Sequence, residues 1–169
     1  IRCRLPKNPG WHAAFWLQAP GVGSHPDAKY CGVETDIMEN YRQHTEGLML
    51  CGNGFGGYGK DAVWPGHFRF PFVETPDGWH YYGVDWNKDG YTFYADGKKI
   101  GWQGPPQVSH VEQFILVSTE CHGYNRNFGD NCGDDGHGDM WRGKPADELK
   151  KAVLPDAFVV DHVRVFDEI

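Results

Sequence analysis

The chain has 169 residues, which fits one compact domain, and its 16 Lys and Arg against 23 Asp and Glu argue against a nucleic-acid partner, because contacts to phosphates need clustered positive charge. Apolar residues make up 40% of the chain, in runs far shorter than the roughly 20 residues of a membrane-spanning helix. Aromatic residues make up 15% beside 23 Gly and 11 Pro, a balance that favours many short strands over helices. The sequence therefore predicts an all-β domain.

The first residues alternate in hydrophobicity. Ile1, Cys3 and Leu5 are apolar and the residues between them are arginines, which is the period of a half-buried strand. No leader precedes this strand, so we expect any targeting segment to have been removed. All-β sandwiches commonly reach about 200 to 250 residues. We therefore expect a processed or truncated chain that lacks the N-terminal strands of a larger sandwich.

Further strand signals follow along the chain. Residues 13–17 are apolar on both faces, as in a strand between two layers. Asp96 and Gly97 form a pair that suits the two-residue turn of a β-hairpin. Residues 145–154 have apolar side chains at helical spacing and a proline after them, which predicts a short surface helix. Strands are also predicted at residues 81–86, 91–95, 98–102, 114–117 and 159–166.

The five cysteines contain no CxxC pair and no spacing typical of a zinc site. Cys121 and Cys132 bracket a loop that is rich in Gly, Asn and Asp and has no apolar core of its own, which makes it a suitable place for a disulfide. The sequence does not determine how the other three pair. The odd cysteine is either a buried thiol or the remnant of a lost pair.

One short segment carries three carboxylates although it otherwise favours a strand. Alternate side chains of a strand share a face, so Glu34 and Asp36 point the same way. Strict alternation would send Glu39 into the core, where an unpaired carboxylate is costly. A one-residue bulge at Ile37 and Met38 would return Glu39 to the face of the other two. We therefore predict a bulged strand with all three carboxylates on one surface.

Such a surface has two interpretations. Acidic residues on a strand often form only a solvated edge. Paired carboxylates also hydrolyse glycosidic bonds with retention, for which the two carboxyl groups must lie about 5 to 5.5 Å apart. Asp36, between the two glutamates, would then help to keep one carboxyl protonated. The many aromatic residues favour the second interpretation, because Trp and Tyr stack on sugar rings.

The segment Glu34-Thr35-Asp36-Ile37-Met38-Glu39 resembles the six-residue active-site motif of glycoside hydrolase family 16 in its bulged form. The resemblance implies a concanavalin A-like jelly-roll β-sandwich and a single, N-terminally incomplete catalytic domain over residues 1–169. It also implies a retaining endo-β-glycosidase, with Glu34 as nucleophile, Asp36 as assisting carboxylate and Glu39 as acid and base. Further matching blocks lie at residues 9–17, 32–33, 79–86, 94–98 and 160–166.

Three positions depart from the usual pattern of that family. Thr35 stands where an aliphatic residue is usual, and its hydroxyl on the core side needs a hydrogen-bond partner. His12 and Ala13 stand where many members have Trp-Pro. A familiar sugar-lining position is therefore expected to differ in this chain.

The expected substrate is a neutral polysaccharide. Sulfated galactans call for clustered positive charge, whereas Arg42, Arg126 and Arg142 are scattered along the chain. A β-1,3-glucan or an agar-type galactan is therefore favoured over a carrageenan.

Some aromatic and polar side chains are candidates for contacting the substrate. The alternative for each tryptophan is a place in the core, where a Trp within an apolar strand is more often found. The candidate substrate-binding residues are Trp11, Trp16, Trp86, Glu120 and Trp141.

The resemblance also bears on metals and partners. Asp161 matches a position that often helps to hold a structural calcium in this family, whereas the acidic loop at 130–139 lacks the register of an EF-hand. No cofactor is expected for catalysis. The expected partner of this secreted monomer is a polysaccharide, with no nucleic acid and no membrane. The alternative function is that of a non-catalytic glycan-binding sandwich domain, since a sandwich alone does not imply turnover.

Overall fold

The computed structural model describes residues 1–41, 48–54, 63, 68–121 and 147–167. Within these ranges most regular structure is β-strand, and none of the helices found there is long and apolar enough to cross a membrane. The helices are α1 (Ala28–Cys31) and a 3-10 helix (Asp147–Lys151). The strands are β1 (Arg2–Arg4), β2 (Trp11–Gln18), β3 (Glu34–Tyr41), β4 (Leu48–Gly54), β5 (Phe68–Pro71), β6 (His80–Asn87), β7 (Gly90–Ala95), β8 (Lys98–Gln103), β9 (Phe114–Cys121) and β10 (Val159–His162).

The described strands form two antiparallel sheets. One sheet has the order β10-β1-β6-β7-β8 and the other has the order β5-β4-β3-β2-β9. Buried side chains from both sheets pack against each other in one core. The predicted all-β fold of the jelly-roll sandwich type is confirmed. Among the most buried core side chains are Ala13, Val33, Ile37, Met38, Met49, Tyr91 and Phe93.

The hairpin turn between β7 and β8 is formed by Asp96 and Gly97, as predicted. Their φ angles are 46° and 76°, the left-handed values that a two-residue turn of type I′ needs at both positions. The Asp96 carboxylate accepts a hydrogen bond of 2.8 Å from the Tyr81 backbone N–H and lies 2.9 Å from Nδ1 of His80. Asp96 thereby ties the turn to β6.

The predicted surface helix over residues 145–154 is shorter than expected and of a tighter type. The described part contains the 3-10 helix Asp147–Lys151. After it, the Asn8 side chain accepts a bond from the Val153 N–H and donates one to the Val153 carbonyl, both 2.9 Å long. These bonds hold the backbone of Val153 against the loop before β2. The chain therefore does not continue as a helix at Val153.

Three cysteines of the described part are buried free thiols, namely Cys3, Cys31 and Cys51. Burial raises the pKa of Cys3 and of Cys51 to about 12. The Cys121 side chain and the whole of Cys132 lie outside the described part, so the disulfide between them stays a prediction.

Candidate active site

A bulge in β3 places the three carboxylates on one face, as predicted. Asp36 pairs with Trp16 on β2 and with Gly52 on β4, whereas Glu39 pairs with Ala14 on β2. Both neighbouring strands shift register between these two carboxylates, so β3 accommodates one extra residue there. The side chains of the bulge go to the core and the acidic side chains go to the opposite face.

Burial agrees with this division. Ile37 and Met38 are almost fully buried in the core, with exposed fractions of 2% and 0%. On the other face Asp36 is 5% exposed and Glu39 is 8% exposed, while Glu34 is half-buried. Asp36 and Glu39 thus have little access to water, which is costly for ionised carboxyl groups.

The electrostatics of the site centre on Asp36. Burial raises the pKa of the Asp36 carboxyl well above its ordinary value, and the charges of Glu39 and Glu34 raise it further. The Asp36 carboxyl therefore interacts with both glutamates. The sequence predicted that Asp36 would help to keep a neighbouring carboxyl protonated, and in the structure its burial and both glutamates favour the protonated form of Asp36 itself.

The hydroxyl of Thr35 finds the partners that its burial requires. Thr35 is fully buried on the core side of β3. Its Oγ1 lies 3.4 Å from Oε1 of Gln113 and also hydrogen-bonds to the Tyr91 hydroxyl. Tyr91 accepts a further bond of 3.2 Å from the Ser109 N–H. A polar network therefore supports the carboxylate strand from behind.

Trp16 lies on the carboxylate face, as one of the predicted sugar-binding residues. Ala13, Phe15 and Leu17 of β2 point to the core, so Trp16 points the other way and is half-buried beside its register partner Asp36. Its Nε1–H donates to Oγ of Ser118 on β9 at 3.2 Å. The indole ring is thereby held in place beside the acidic groups.

His12 is a site residue that the sequence analysis noted as a departure but did not assign to the site. Its Nε2 lies 3.0 Å from Oε1 of Glu39. Glu120, a predicted substrate-binding residue, pairs with His12 from β9 and is half-buried on the same face. On β2, His12 is two residues before Ala14 and four before Trp16, and residues two apart on a strand share a face. This alternation is the sequence signal that could have placed His12 on the carboxylate face.

Two predicted sugar-binding tryptophans are not on the carboxylate face. Trp11 is two residues before Ala13 on β2, so it points to the same face of the sheet, which is the core side. Trp86 lies on β6 of the other sheet, stacked 5.8 Å from Tyr91, and donates its N–H to the Ser109 carbonyl at 3.0 Å. Trp86 is thus part of the core, the alternative weighed for it. Trp141 lies outside the described residues.

Asp161 lies on β10, in the sheet that does not contain the carboxylate strand. It bonds to Nδ1 of His162 at 2.9 Å and accepts from Arg2 at 3.2 Å, and these two bonds lower the pKa of its carboxyl. A guanidinium beside the carboxylate does not fit a calcium site, and no group of three possible metal ligands occurs among the described residues. The calcium stays a prediction, and the loop 130–139 is outside the described part.

The fold and the site together define a class of protein. A β-sandwich carries, on one sheet, a bulged strand with two glutamates that flank a buried aspartate, and an indole and an imidazole lie beside them. Paired carboxyl groups of this kind are the groups with which glycoside hydrolases cleave glycosidic bonds, and this face is therefore the candidate active site.

The sequence profile of glycosyl hydrolases family 16 matches residues 1–114, and the chain belongs to this family. The fold is similar to the laminarinase catalytic domain of Thermotoga maritima MSB8, with a TM-score of 0.61, 20% identity, and coverage of 92% of this chain and 57% of that one. It is also similar to the endo-1,3-beta-glucanase catalytic domain of Thermotoga petrophila RKU-1, with a TM-score of 0.57, 20% identity, and coverage of 88% and 55%.

A third similar structure is the kappa-carrageenase of Pseudoalteromonas carrageenovora, with a TM-score of 0.55, 21% identity, and coverage of 70% of this chain and 48% of that one. No curated protein matches the sequence. The chain thus spans about half the length of the solved structures that it resembles. The likenesses to solved structures confirm the fold, and the match to the family profile confirms the predicted family.

Proposed function

We propose that the protein is a secreted, retaining endo-β-glycosidase that hydrolyses a β-linked polysaccharide by double displacement. The observation that carries this proposal is the bulge of β3, which holds Glu34, Asp36 and Glu39 on one face, with Asp36 almost fully buried between the other two. Membership of the family supports it. A solvated acidic edge does not explain carboxylates that are as buried as Asp36 and Glu39.

Each carboxyl has a separate task in the proposed reaction. Glu34 attacks the anomeric carbon while Glu39 gives its proton to the leaving glycosidic oxygen. In the second step Glu39 takes a proton from water, the water oxygen bonds to the anomeric carbon, and the bond to Glu34 breaks. A protonated Asp36 removes one negative charge from between the two glutamates, which lets Glu34 stay ionised as a nucleophile.

The proposed substrate is a neutral β-1,3-glucan or an agar-type galactan. Trp16 offers a ring to stack on a sugar and Gln18, the register partner of Glu34, offers an uncharged hydrogen-bonding group. The register partners of Asp36 and Glu34 on β4 are Gly52 and Gly54. Because glycine has no side chain, these two positions do not narrow the space for a sugar beside the two acids. Two of the similar structures are a laminarinase and an endo-1,3-beta-glucanase.

The test measures reducing ends released from laminarin, agarose, porphyran and carrageenan. We expect release from laminarin or agarose by the wild type, and a loss on the order of 10³-fold or more in E34Q and E39Q. E74Q is the matched control, because Glu74 is exposed and outside the site, and it should keep wild-type activity. Binding of a glycan by the wild type without any release would support the alternative of a non-catalytic glycan-binding domain.

A further inference from the structure

The imidazole of His12 contacts the carboxyl group to which the proposed function assigns the role of acid and base. His12 Nε2 lies 3.0 Å from Glu39 Oε1, and both side chains are largely buried, with 16% and 10% of their surfaces exposed. The contact is diagonal across the sheet, since the register partner of Glu39 on β2 is Ala14. The small side chain of Ala14 leaves the imidazole room to reach Glu39.

The other charged groups around Glu39 do not replace this contact. On its own strand Glu39 faces Asp36 and Glu34, which are also acidic. On β9 the register partner of His12 is another acid, Glu120. Arg69 on β5 is in the same cross-strand row as Glu39, but a strand of the sheet separates them and Arg69 is exposed. His12 is thus a basic side chain that contacts Glu39 directly.

We propose that His12 is a positioning residue for Glu39: its Nε2–H donates to Oε1 and leaves the second carboxyl oxygen, Oε2, to exchange the proton with the sugar. This inference rests on the proposed function. In the first step the proton moves from Oε2 to the leaving oxygen as the glycosidic bond breaks and the bond to Glu34 forms. In the second step the water proton moves to Oε2 as the water oxygen bonds to the anomeric carbon.

The Nε2–H donor also sets the protonation of Glu39. A hydrogen bond donated to a carboxylate favours its ionised form, and it does so whether the imidazole is neutral or charged. Loss of the donor therefore raises the pKa of Glu39. The opposite arrangement, in which a protonated Glu39 donates to an unprotonated Nε2, would make the same loss lower that pKa. The two arrangements thus differ in the sign of a measurable shift.

The primary test is a titration that does not require turnover. The carboxyl carbons of 13C-glutamate-labelled protein are followed by NMR against pH in the wild type, H12L and H12Q, with the Glu39 signal assigned by its loss in E39Q. We expect the pKa of Glu39 to rise by about half a pH unit or more in H12L. It should stay near the wild-type value in H12Q, whose amide keeps an N–H donor. H110L, at an exposed histidine away from the site, is the control.

A measurement on the wild type protects the test against a misfolded H12L. The 15N spectrum of the His12 ring, recorded at a high pH where imidazoles are neutral, should show the ring proton on Nε2. A Glu39 pKa that is unchanged or lower in H12L, or a ring proton on Nδ1 in the wild type, would each overturn the proposal.

Activity then tests the consequence for catalysis. With laminarin or agarose, the basic limb of the kcat/KM profile should move to higher pH in H12L, and kcat should fall more than KM changes. A 2,4-dinitrophenyl glycoside of the same sugar needs no proton for its leaving group, so bond cleavage there should be almost insensitive to H12L. If the wild type hydrolyses no glycan, the proposed function fails, while the two NMR measurements still decide whether His12 donates to Glu39.

Discussion

Asp36 and Glu39 are three residues apart along β3, yet their partners on β2, Trp16 and Ala14, are only two apart. The extra residue is the physical reason why both acids face the same side of the sheet. It also lets Ile37 and Met38 both enter the core, which fixes the strand on which the acids lie. The site is thus a consequence of how this one strand is packed.

Asp36 should make the stability of the protein fall as pH rises. Burial first, and then the charges of Glu39 and Glu34, raise its pKa above the ordinary value of the unfolded chain. Folding therefore favours protonated Asp36, and the native state loses stability as pH rises above about 4 toward the raised pKa. Asparagine does not ionise, so D36N does not lose stability in this way. The unfolding free energy of D36N relative to wild type should therefore increase with pH. Urea unfolding at intervals from pH 4 to pH 8 measures it.

Asp161 provides a control of opposite sign. Bonds from His162 and Arg2 lower its pKa, so its ionised form stabilises the fold and this contribution is lost as pH falls through the lowered pKa. D161N should therefore become less stable relative to wild type as pH rises from about 2 to about 4, a range added to the urea series for this pair, and the difference should then stay constant up to about pH 8. If the D36N difference does not change with pH, the assignment of a raised pKa to Asp36 is wrong.

The polar network behind β3 should contribute measurably to stability. In T35V a methyl group of similar volume replaces the Thr35 hydroxyl. The hydrogen bonds of that hydroxyl to Gln113 and Tyr91 are lost inside the core. We expect a loss of about 1 kcal/mol in unfolding free energy, seen as a lower midpoint in thermal unfolding. The same change at the exposed Thr119, T119V, should stay within about 0.5 kcal/mol of wild type. Equal effects of the two changes would show that the network does not stabilise the fold.

The buried thiols should be unreactive in the folded protein. Burial raises the pKa of Cys3 and Cys51 to about 12, so almost no thiolate is present at pH 8. Iodoacetamide at pH 8 should leave these two unlabelled in native protein and label them after unfolding in guanidinium chloride, as read by peptide mass spectrometry. Rapid labelling of the native protein at either position would contradict their placement in the core.

The sequence predicted the face of each carboxylate because burying Glu39 is costly and a bulge is the local way to avoid it. It did not separate Trp16 from Trp86, because both lie in apolar strands and local pattern does not say which sheet a strand joins. The contact of His12 with Glu39 is diagonal across two strands, so it depends on their register, which the bulge itself shifts.

Trp16 should contribute to sugar binding. Removing the ring in W16A should raise KM for the substrate roughly tenfold, since the stacking surface beside Asp36 is lost. W16F keeps a ring but loses the bond to Ser118, so its effect should be smaller. W102A, at a half-exposed tryptophan on β8 of the other sheet, is the matched control for KM. A KM in W16A equal to that of the control would exclude Trp16 from the sugar site.

The configuration of the first reducing end formed tests the central claim most directly. Proton NMR follows the anomeric signals during the first minutes of hydrolysis of laminarin or agarose, before mutarotation mixes the two forms. Double displacement by Glu34 and Glu39 predicts that the β-anomer is formed first and the α-anomer later. An α-anomer that forms first would show single displacement and contradict the roles given to the two glutamates.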